Sequence, residues 1–456
     1  MSYGTLLQAQ RDFFATGATR SFAFRQGQLR ALQKAWQSRE EAAVKALRAD
    51  LGKPRFEAIA AEGLLVSQEV AWAVRHLQRW MRPRSVPLTL TQWPGRAEVI
   101  PEPYGMALVL SPWNYPLQLT LLPLIGAIAA GNCAIVKPSE LAPHTAEFLQ
   151  DLCRDTFPPE YVQVVTGARE TAIALLAERF DKICFTGSTR VGRAVMQAAA
   201  QHLTPVTLEL GGKSPAIVAA DADLTVAVRR IVWGKFLNAG QTCIAPDYVW
   251  VPRPLLAEFS RQAIAALKQF YGEDPRQSPD YGRIVSEGHW DRLRGFLDGV
   301  EVLWGGQGDR AERYFAPTLV QATDWEAPVM QEEIFGPVLP LMPYDDLAAV
   351  RRHLAQMEKP LALYFFGRDR RPWAQICREI SFGGGCFNDT IAHAVGPHLP
   401  FGGVGASGMG SYHGYQSFVT FSHFKSLLHR PSRPDFAFRY PPYPTDLAWL
   451  KRWLGG

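Results

Sequence analysis

An α/β fold built from two successive units, each with a mostly parallel sheet, is predicted by three observations on the 456-residue chain. Short apolar strand-like segments alternate with amphipathic helical ones from Ala107 to Ala200. A second alternating series runs from Ser214 to about Gly385. Between Glu102 and Lys137 no charged residue occurs. Alternation of strand and helix marks βαβ units, and strands covered on both faces read as unbroken apolar runs. The uncharged stretch needs one further decision. Leu117 to Val136 is long enough for a bilayer, which takes ~20 apolar residues. Pro123, Gly126 and Gly131-Asn132 interrupt it, so a helix over about Pro116–Ala130 and a buried strand over Cys133–Val136 account for it.

Taken in order, helical periodicity covers Gln26–Asp50 and Glu57–Arg82, with the charges gathered on one side. Pro83, Pro87 and Pro94 then turn the chain into an extended segment, Arg96–Pro101. Strands follow at Ala107–Leu110, Ala134–Lys137, Val162–Val165 and Lys182–Thr186. Helices lie between and after them, near Pro116–Ala130, Pro143–Thr156, Glu170–Arg179 and Thr189–Ala200. Ser417–Leu428 is strand-like, and the tail from Arg430 is rich in proline. Within the tail, Thr445 and Asp446 are candidate caps of a short helix whose Leu447, Leu450, Trp453 and Leu454 share a face beside Lys451 and Arg452.

Composition excludes several classes. The net charge of +5 is spread along the chain with no basic block, which argues against a nucleic-acid partner. The six cysteines, at 133, 153, 184, 243, 377 and 386, contain no CxxC pair. A disulfide framework or zinc site is therefore not expected, and a reducing compartment is. No signal-peptide pattern opens the chain, so the expectation is a cytoplasmic protein. Histidines 393, 398, 413, 423 and 429 show no metal-site spacing.

The chemistry is concentrated in a few short runs. Cys243 ends Asn238-Ala-Gly-Gln-Thr-Cys243 and follows the run Glu209-Leu-Gly-Gly-Lys213. A thiol attacks as thiolate and needs a local field or a base. A cysteine, a separate carboxylate and glycines beside both point to covalent chemistry on a carbonyl. Asn114, in Ser111-Pro-Trp-Asn-Tyr-Pro116 after a strand, is placed either for ligand chemistry or to cap the next helix. Gly187-Ser-Thr-Arg-Val-Gly192 follows a strand and opens a helix, where a dinucleotide fingerprint belongs, but its central position is Thr189. A strict reading of that fingerprint would place Glu209 on a ribose. Lys213 is either a positive charge favouring thiolate or a surface residue, and the residues alone leave both open. The remaining cysteines lie in apolar contexts and fit small packing residues.

These runs resemble the aldehyde dehydrogenase superfamily, together with Lys137-Pro-Ser-Glu140, Phe185-Thr-Gly-Ser-Thr189 and Glu332-Glu-Ile-Phe-Gly-Pro337, all in family order. Leu399-Pro-Phe-Gly-Gly-Val-Gly-Ala-Ser-Gly-Met-Gly410, then Ser-Tyr-His-Gly414, resembles the class 3 branch of fatty- and aromatic-aldehyde enzymes. The resemblance implies a variant Rossmann cofactor domain over 1–84 and 104–210 and a second α/β catalytic domain over 211–410. It further implies a small β bridging and oligomerisation segment over 85–103 and 411–430, with a tail over 431–456. A homodimer is implied through the bridging segment.

Residue by residue, the resemblance implies Cys243 as nucleophile, Glu209 as the base for a hydrolytic water, and the Asn114 amide with the Cys243 N–H as oxyanion hole. Cofactor contacts are implied at Trp113, Lys137, Glu140, Gly187, Ser188, Gly192, Leu210, Gly211, Glu333 and Phe335. Glu332 is the weaker ribose candidate by register. Glu140 favours NAD by repelling a 2′-phosphate while Lys137 pulls the other way, so NAD is expected and NADP allowed. An aromatic set, Trp113, Tyr115 and Phe401, points to bulky or long apolar aldehydes, including aromatic or polyene ones. The alternatives are a CoA-acylating relative, against which Glu209 argues, a catalytically idle structural relative, and an esterase side activity. For the tail two placements stand open: a peripheral membrane contact, or folding back over a subunit.

Overall fold

The apolar runs of the sequence become the centres of two large sheets. The computed structural model describes residues 3–322, 324–448 and 452. Strands β1 (Arg84–Val86) and β2 (Arg96–Pro103) lie outside both large sheets. Then β3 (Met106–Leu110), β4 (Cys133–Lys137), β5 (Val162–Val164), β6 (Lys182–Thr186) and β7 (Val206–Glu209) form the first one, in the spatial order β7-β6-β3-β4-β5 with parallel neighbours. Every residue of β3, β4 and β6 is buried, as their composition requires. The chain steps outward from β3 to β5 and returns on the other side of β3 as β6. The strand order therefore reverses at β3, and ligands bind at the carboxyl ends of strands at such a reversal.

The second large sheet uses β8 (Pro215–Val218), β9 (Tyr248–Pro252) and β10 (Glu301–Trp304). A separate pair, β11 (Gly308–Asp309) and β12 (Tyr314–Phe315), interrupts the series before β13 (Thr318–Gln321), β14 (Val338–Tyr344), β15 (Ala362–Phe366) and β16 (Gly384–Phe387). Their order is β10-β13-β14-β9-β8-β15-β16, parallel except for β10 at one edge. Next, β17 (Gly408–Met409) crosses back and pairs antiparallel with β7. Finally β18 (Ser422–His429) pairs with β2 along its whole length, completing a three-stranded sheet β1-β2-β18.

Several expected elements change form. Gln26–Asp50 is two helices, Phe22–Gln37 and Glu40–Leu51, because the chain breaks at Ser38-Arg39 and restarts with Glu40 and Glu41 favouring a helix N-terminus. A further helix, Tyr3–Ala15, was not expected and buries Leu6, Leu7 and Gln10. Glu57–Arg82 contains a π turn, Ile59–Gly63, between Arg55–Ala58 and Leu64–Trp80. Ser417–Leu428 is not one strand. Tyr415–Thr420 is helical, with Ser417 and Phe418 buried, and a Cβ on Gly126 would lie 2.7 Å from Ser417 Cβ. Residues 411–421 thus pack on the core, and of the second bridging segment it is 422–429 that joins the small sheet.

The fully buried helix Gln118–Ala130 ends at Gly131 in the left-handed conformation, as the Gly-Asn pair suggested. Along the tail the described residues are mostly exposed. Leu450, Lys451, Trp453 and Leu454 of the expected tail helix lie outside the described residues. No helix among the described residues is long and apolar enough to cross a membrane.

Candidate active site

Cys243 is presented by a backbone turn that few sequences could form. The helix Leu224–Phe236 gives way to Leu237–Gly240, in which Asn238, Ala239 and Gly240 have φ of 53°, 52° and 76°. A non-glycine residue in this left-handed region costs on the order of 1 kcal/mol, so the surroundings must hold the turn. Asn238 N–H donates to Glu57 Oε2 at 3.0 Å, and Asn238 Nδ2 donates to the Asn114 carbonyl at 2.9 Å. The Gln241 amide bridges the Asn238 and Arg283 carbonyls at 3.0 and 2.9 Å and accepts the Val285 N–H at 2.9 Å. At Gly240 a Cβ would fall 2.2 Å from the Gly336 carbonyl oxygen, so a side chain has no room there. Burial pushes the Cys243 thiol up, as do the Glu333 and Glu209 carboxyls, while the N–H groups of Cys243 and Ile244 oppose the shift.

Asn114 lies on the loop after β3, buried, with Nδ2 donating to the Gln241 carbonyl at 3.0 Å. Its second amide N–H is left for a ligand. Behind it stands a buried ion pair that the sequence did not reveal. Lys53 donates to Glu62, both side chains being wholly buried, and Lys53 Nζ also donates to the Asn114 carbonyl at 3.0 Å. Glu62 Oε2 accepts the Leu117 and Gln118 N–H groups at 2.8 and 3.2 Å, satisfying the start of the buried helix. Lys53 Nζ also sits 4.2 Å from the Tyr115 ring centre, and Tyr115 Oη meets Thr242 Oγ1 at 2.7 Å. Breaking such a pair by removing one partner typically costs ~3–5 kcal/mol.

Cys243 stands where two cavities meet. One, of about 570 Å³, is lined by Trp113, Asn114, Gly187, Ser188, Leu210, Gly211, Glu333 and Phe335 among others. Trp113 packs edge-on to Phe335 at 5.4 Å. Glu333 is half-buried, and the loss of solvent pushes its carboxyl up to about 8, with Asp247 adding to the shift. A Cβ on Gly211 would come within 2.0 Å of Glu333 Oε2, so the glycine keeps this floor open. Glu332, by contrast, is exposed and pairs with Arg292 at 3.2 Å. Lys213 is neither a surface residue nor a partner of the thiol: it is held by Asp247 and by the Val329 and Glu332 carbonyls at 3.0 and 2.9 Å.

Ser188 caps the helix Thr189–Ala200, accepting the Val191 N–H at 3.4 Å. Gly192 does not line the cleft: a Cβ there would meet Leu210 Cδ2 at 2.6 Å, so it serves close helix–strand packing. At the end of β4, Lys137 donates to Glu140 at 2.7 Å, and the Lys137 carbonyl accepts the Ser111 N–H at 3.2 Å. Neither of these side chains lines the 570 Å³ cleft. A glycine floor, a helix N-terminus and a half-buried carboxyl suit the phosphates and ribose hydroxyls of a dinucleotide.

The second cavity, of about 390 Å³, is mainly apolar and includes Tyr115, Leu119, Trp233, Phe270, Ile391 and Phe401. Tyr115 and Phe401 thus share it with Cys243, whereas Trp113 belongs to the cleft on the other side. Glu209, last residue of β7, is 1% exposed, and among the described residues no hydrogen bond of good geometry reaches either carboxylate oxygen. Burial pushes it well above the ordinary carboxylate range, offset in part by the Gly403 N–H. Its side chain lines neither cavity. A half-buried thiol, amide donors and a carboxyl of raised basicity can together carry covalent acyl chemistry.

The chain as a whole is similar to known proteins. The model of the aldehyde dehydrogenase family matches residues 5–427. A 4,4'-diaponeurosporen-aldehyde dehydrogenase of Staphylococcus aureus is 44% identical over 443 residues, covering 97% of this chain and 96% of that protein. A dimeric, NADP-preferring aldehyde dehydrogenase of Rattus norvegicus is 44% identical, covering 98% and 99%. The substrate-bound structure of Staphylococcus aureus AldH superposes with a TM-score of 0.97 at 43% identity, covering 99% of both chains.

Proposed function

Because this chain belongs to the aldehyde dehydrogenase family and is an NAD(P)-dependent aldehyde dehydrogenase, we propose that Cys243 is its nucleophile and that its substrates are long or bulky apolar aldehydes. The Cys243 sulfur attacks the aldehyde carbon, and the carbonyl π pair becomes an oxyanion. The free Asn114 amide N–H and the Cys243 backbone N–H hold that charge. When bound, NAD(P) supplies the hydride acceptor that turns the adduct into a thioester. Glu209 then takes a proton from the water that attacks the thioester; the C–S bond breaks and the thiolate returns. Since Glu209 lines neither cavity, its side chain must turn toward the thioester for this step. Glu333 and Phe335 would hold the nicotinamide end of the cofactor, and Lys137 and Glu140, which stand outside the 570 Å³ cleft, would take the adenosine ribose beyond it.

The observation that carries the substrate class is the apolar 390 Å³ cavity ending at Cys243. A relative named for a polyene aldehyde supports the same reading. Each buried methylene is worth ~0.8 kcal/mol, so kcat/KM is expected to rise at least about tenfold from propanal to decanal. A flat or falling series would remove the apolar assignment. Running the series with NAD and NADP in parallel tests the carboxylate of Glu140, which favours NAD.

We further propose a homodimer formed through the outer edges of the β1-β2-β18 sheet, where β1 and β18 each leave one side without a strand partner among the described residues. A rat relative carries "dimeric" in its name. Sedimentation at micromolar concentration should give a dimer, and a monomer would remove this assembly.

A further inference from the structure

The apolar cavity is not electrically neutral. Two acidic side chains, Glu57 and Asp280, line it, and among the described residues no lysine or arginine does. Its histidine, His413, is neutral: burial pushes it down to about 4, with His393 adding to the shift. Asp280 is exposed at the rim, while Glu57 is only 9% exposed. Glu57 and Asp280 line the same cavity, and the Asp280 charge acts on Glu57. The Glu57 charge acts on Tyr115, which Cys243 also reaches, and on Tyr271, which Asp280 also reaches. The Asn238 N–H at 3.0 Å is the hydrogen bond its carboxylate receives among the described residues, leaving Oε1 without a protein partner. Lys53, a cation that acts on Glu57, is itself wholly buried and paired with Glu62.

We propose that Glu57 makes this cavity charge-selective, barring aldehydes that carry a carboxylate or another anionic group along the chain, with Asp280 repeating the selection at the rim. The inference rests on the cavity being the substrate cavity. An anion entering it would lose water, find no cation, and meet a like charge in a poorly solvated space. A neutral apolar chain of the same length meets none of these costs. The device is repulsive rather than attractive, and an apolar wall alone does not supply it. Burial pushes Glu57 up to about 7. The groups facing it are Asp280, Lys53, Tyr115, Tyr271 and Tyr281, with the Asn238 N–H. Below its pKa Glu57 is neutral and the barrier weakens; above it the barrier is complete.

The test compares hexanal with adipic semialdehyde, and nonanal with azelaic semialdehyde, each pair matched in length and differing at the far carbon. The readout is the kcat/KM ratio of neutral to anionic aldehyde, in which pH effects common to both cancel. In the wild type this ratio should exceed about tenfold for at least one pair and grow from about pH 6 to about pH 8. Glu57→Gln should shrink it by about tenfold through a lower KM for the semialdehyde acid, while Glu57→Asp should keep most of it. A wild-type ratio near one for both pairs, or a ratio indifferent to pH, would overturn the proposal even if Glu57→Gln failed to fold. A ratio unchanged in folded Glu57→Gln but lost in Asp280→Asn would move the selection to the rim and overturn it for Glu57. Failure of the wild type to oxidise either neutral aldehyde would instead count against the substrate cavity itself.

Discussion

Replacing Cys243 by alanine is expected to lower NAD(P)-dependent aldehyde oxidation by on the order of 10⁴-fold or more, while NADH still binds. The sulfur stands between the two cavities, and no other thiol does. Cys133, Cys153 and Cys184 are buried, and burial pushes each up to about 12. Cys243 differs from them in three ways: it opens on cavities, two backbone N–H groups favour its thiolate, and the Asn114 amide lies on the same cavity wall. Alanine removes the sulfur without disturbing the hydrogen bonds of Asn238 and Gln241 that hold the turn. Steady-state turnover and a fluorescence titration with NADH check both halves of the expectation. Residual turnover near the wild-type value, or an equal loss in a folded Cys184→Ala protein, would place the nucleophile elsewhere.

Glu209→Gln is expected to separate the two halves of the reaction. Hydride transfer should proceed once, giving a burst of NADH near one equivalent per site. Steady turnover should then fall by on the order of 10²-fold or more. The carboxyl is almost wholly buried, with only the Gly403 N–H favouring its charged form, so its protonated form is favoured and its pKa lies well above the usual range. A protonated carboxyl cannot take a proton from water. Deacylation in the wild type should therefore speed up as pH rises through that raised pKa, and Glu209→Gln should lose this rise. Rapid-mixing absorbance at several pH values checks both. Slow hydride transfer without a burst would assign Glu209 to thiol activation instead.

Much of this site could be read before any coordinates. Asn114 and Gly211 sit in short runs just past the carboxyl ends of β3 and β7, where βαβ topology concentrates ligand contacts, whereas Cys243 and Glu333 precede β9 and β14 and were legible only through the runs that contain them. What escaped depended on events that periodicity does not record. Lys53 precedes the helix and Glu62 lies within the π turn Ile59–Gly63, nine residues further on, so no i,i+4 spacing betrays the pair. Ser38-Arg39 splits an amphipathic pattern that continues across the break. Ser417–Thr420 reads as strand from its composition and is helical because the buried helix Gln118–Ala130 packs against it. Gly192 lay in a fingerprint-like run, yet its role is set by Leu210, a residue distant in sequence and close in space.

The meeting of two cavities at Cys243 also has a consequence for the order of events. On the proposed chemistry, an acyl group bonded to the sulfur would fill the apolar cavity and leave the cleft on the other side of Cys243 free. Reduced nucleotide can then depart while the ester still waits for water, and a fresh molecule can replace it without passing the acyl chain. The carboxylate leaves by the door through which the aldehyde came. Fuel and electrons thus use separate doors into one room, and a congested substrate passage does not halt traffic on the nucleotide side.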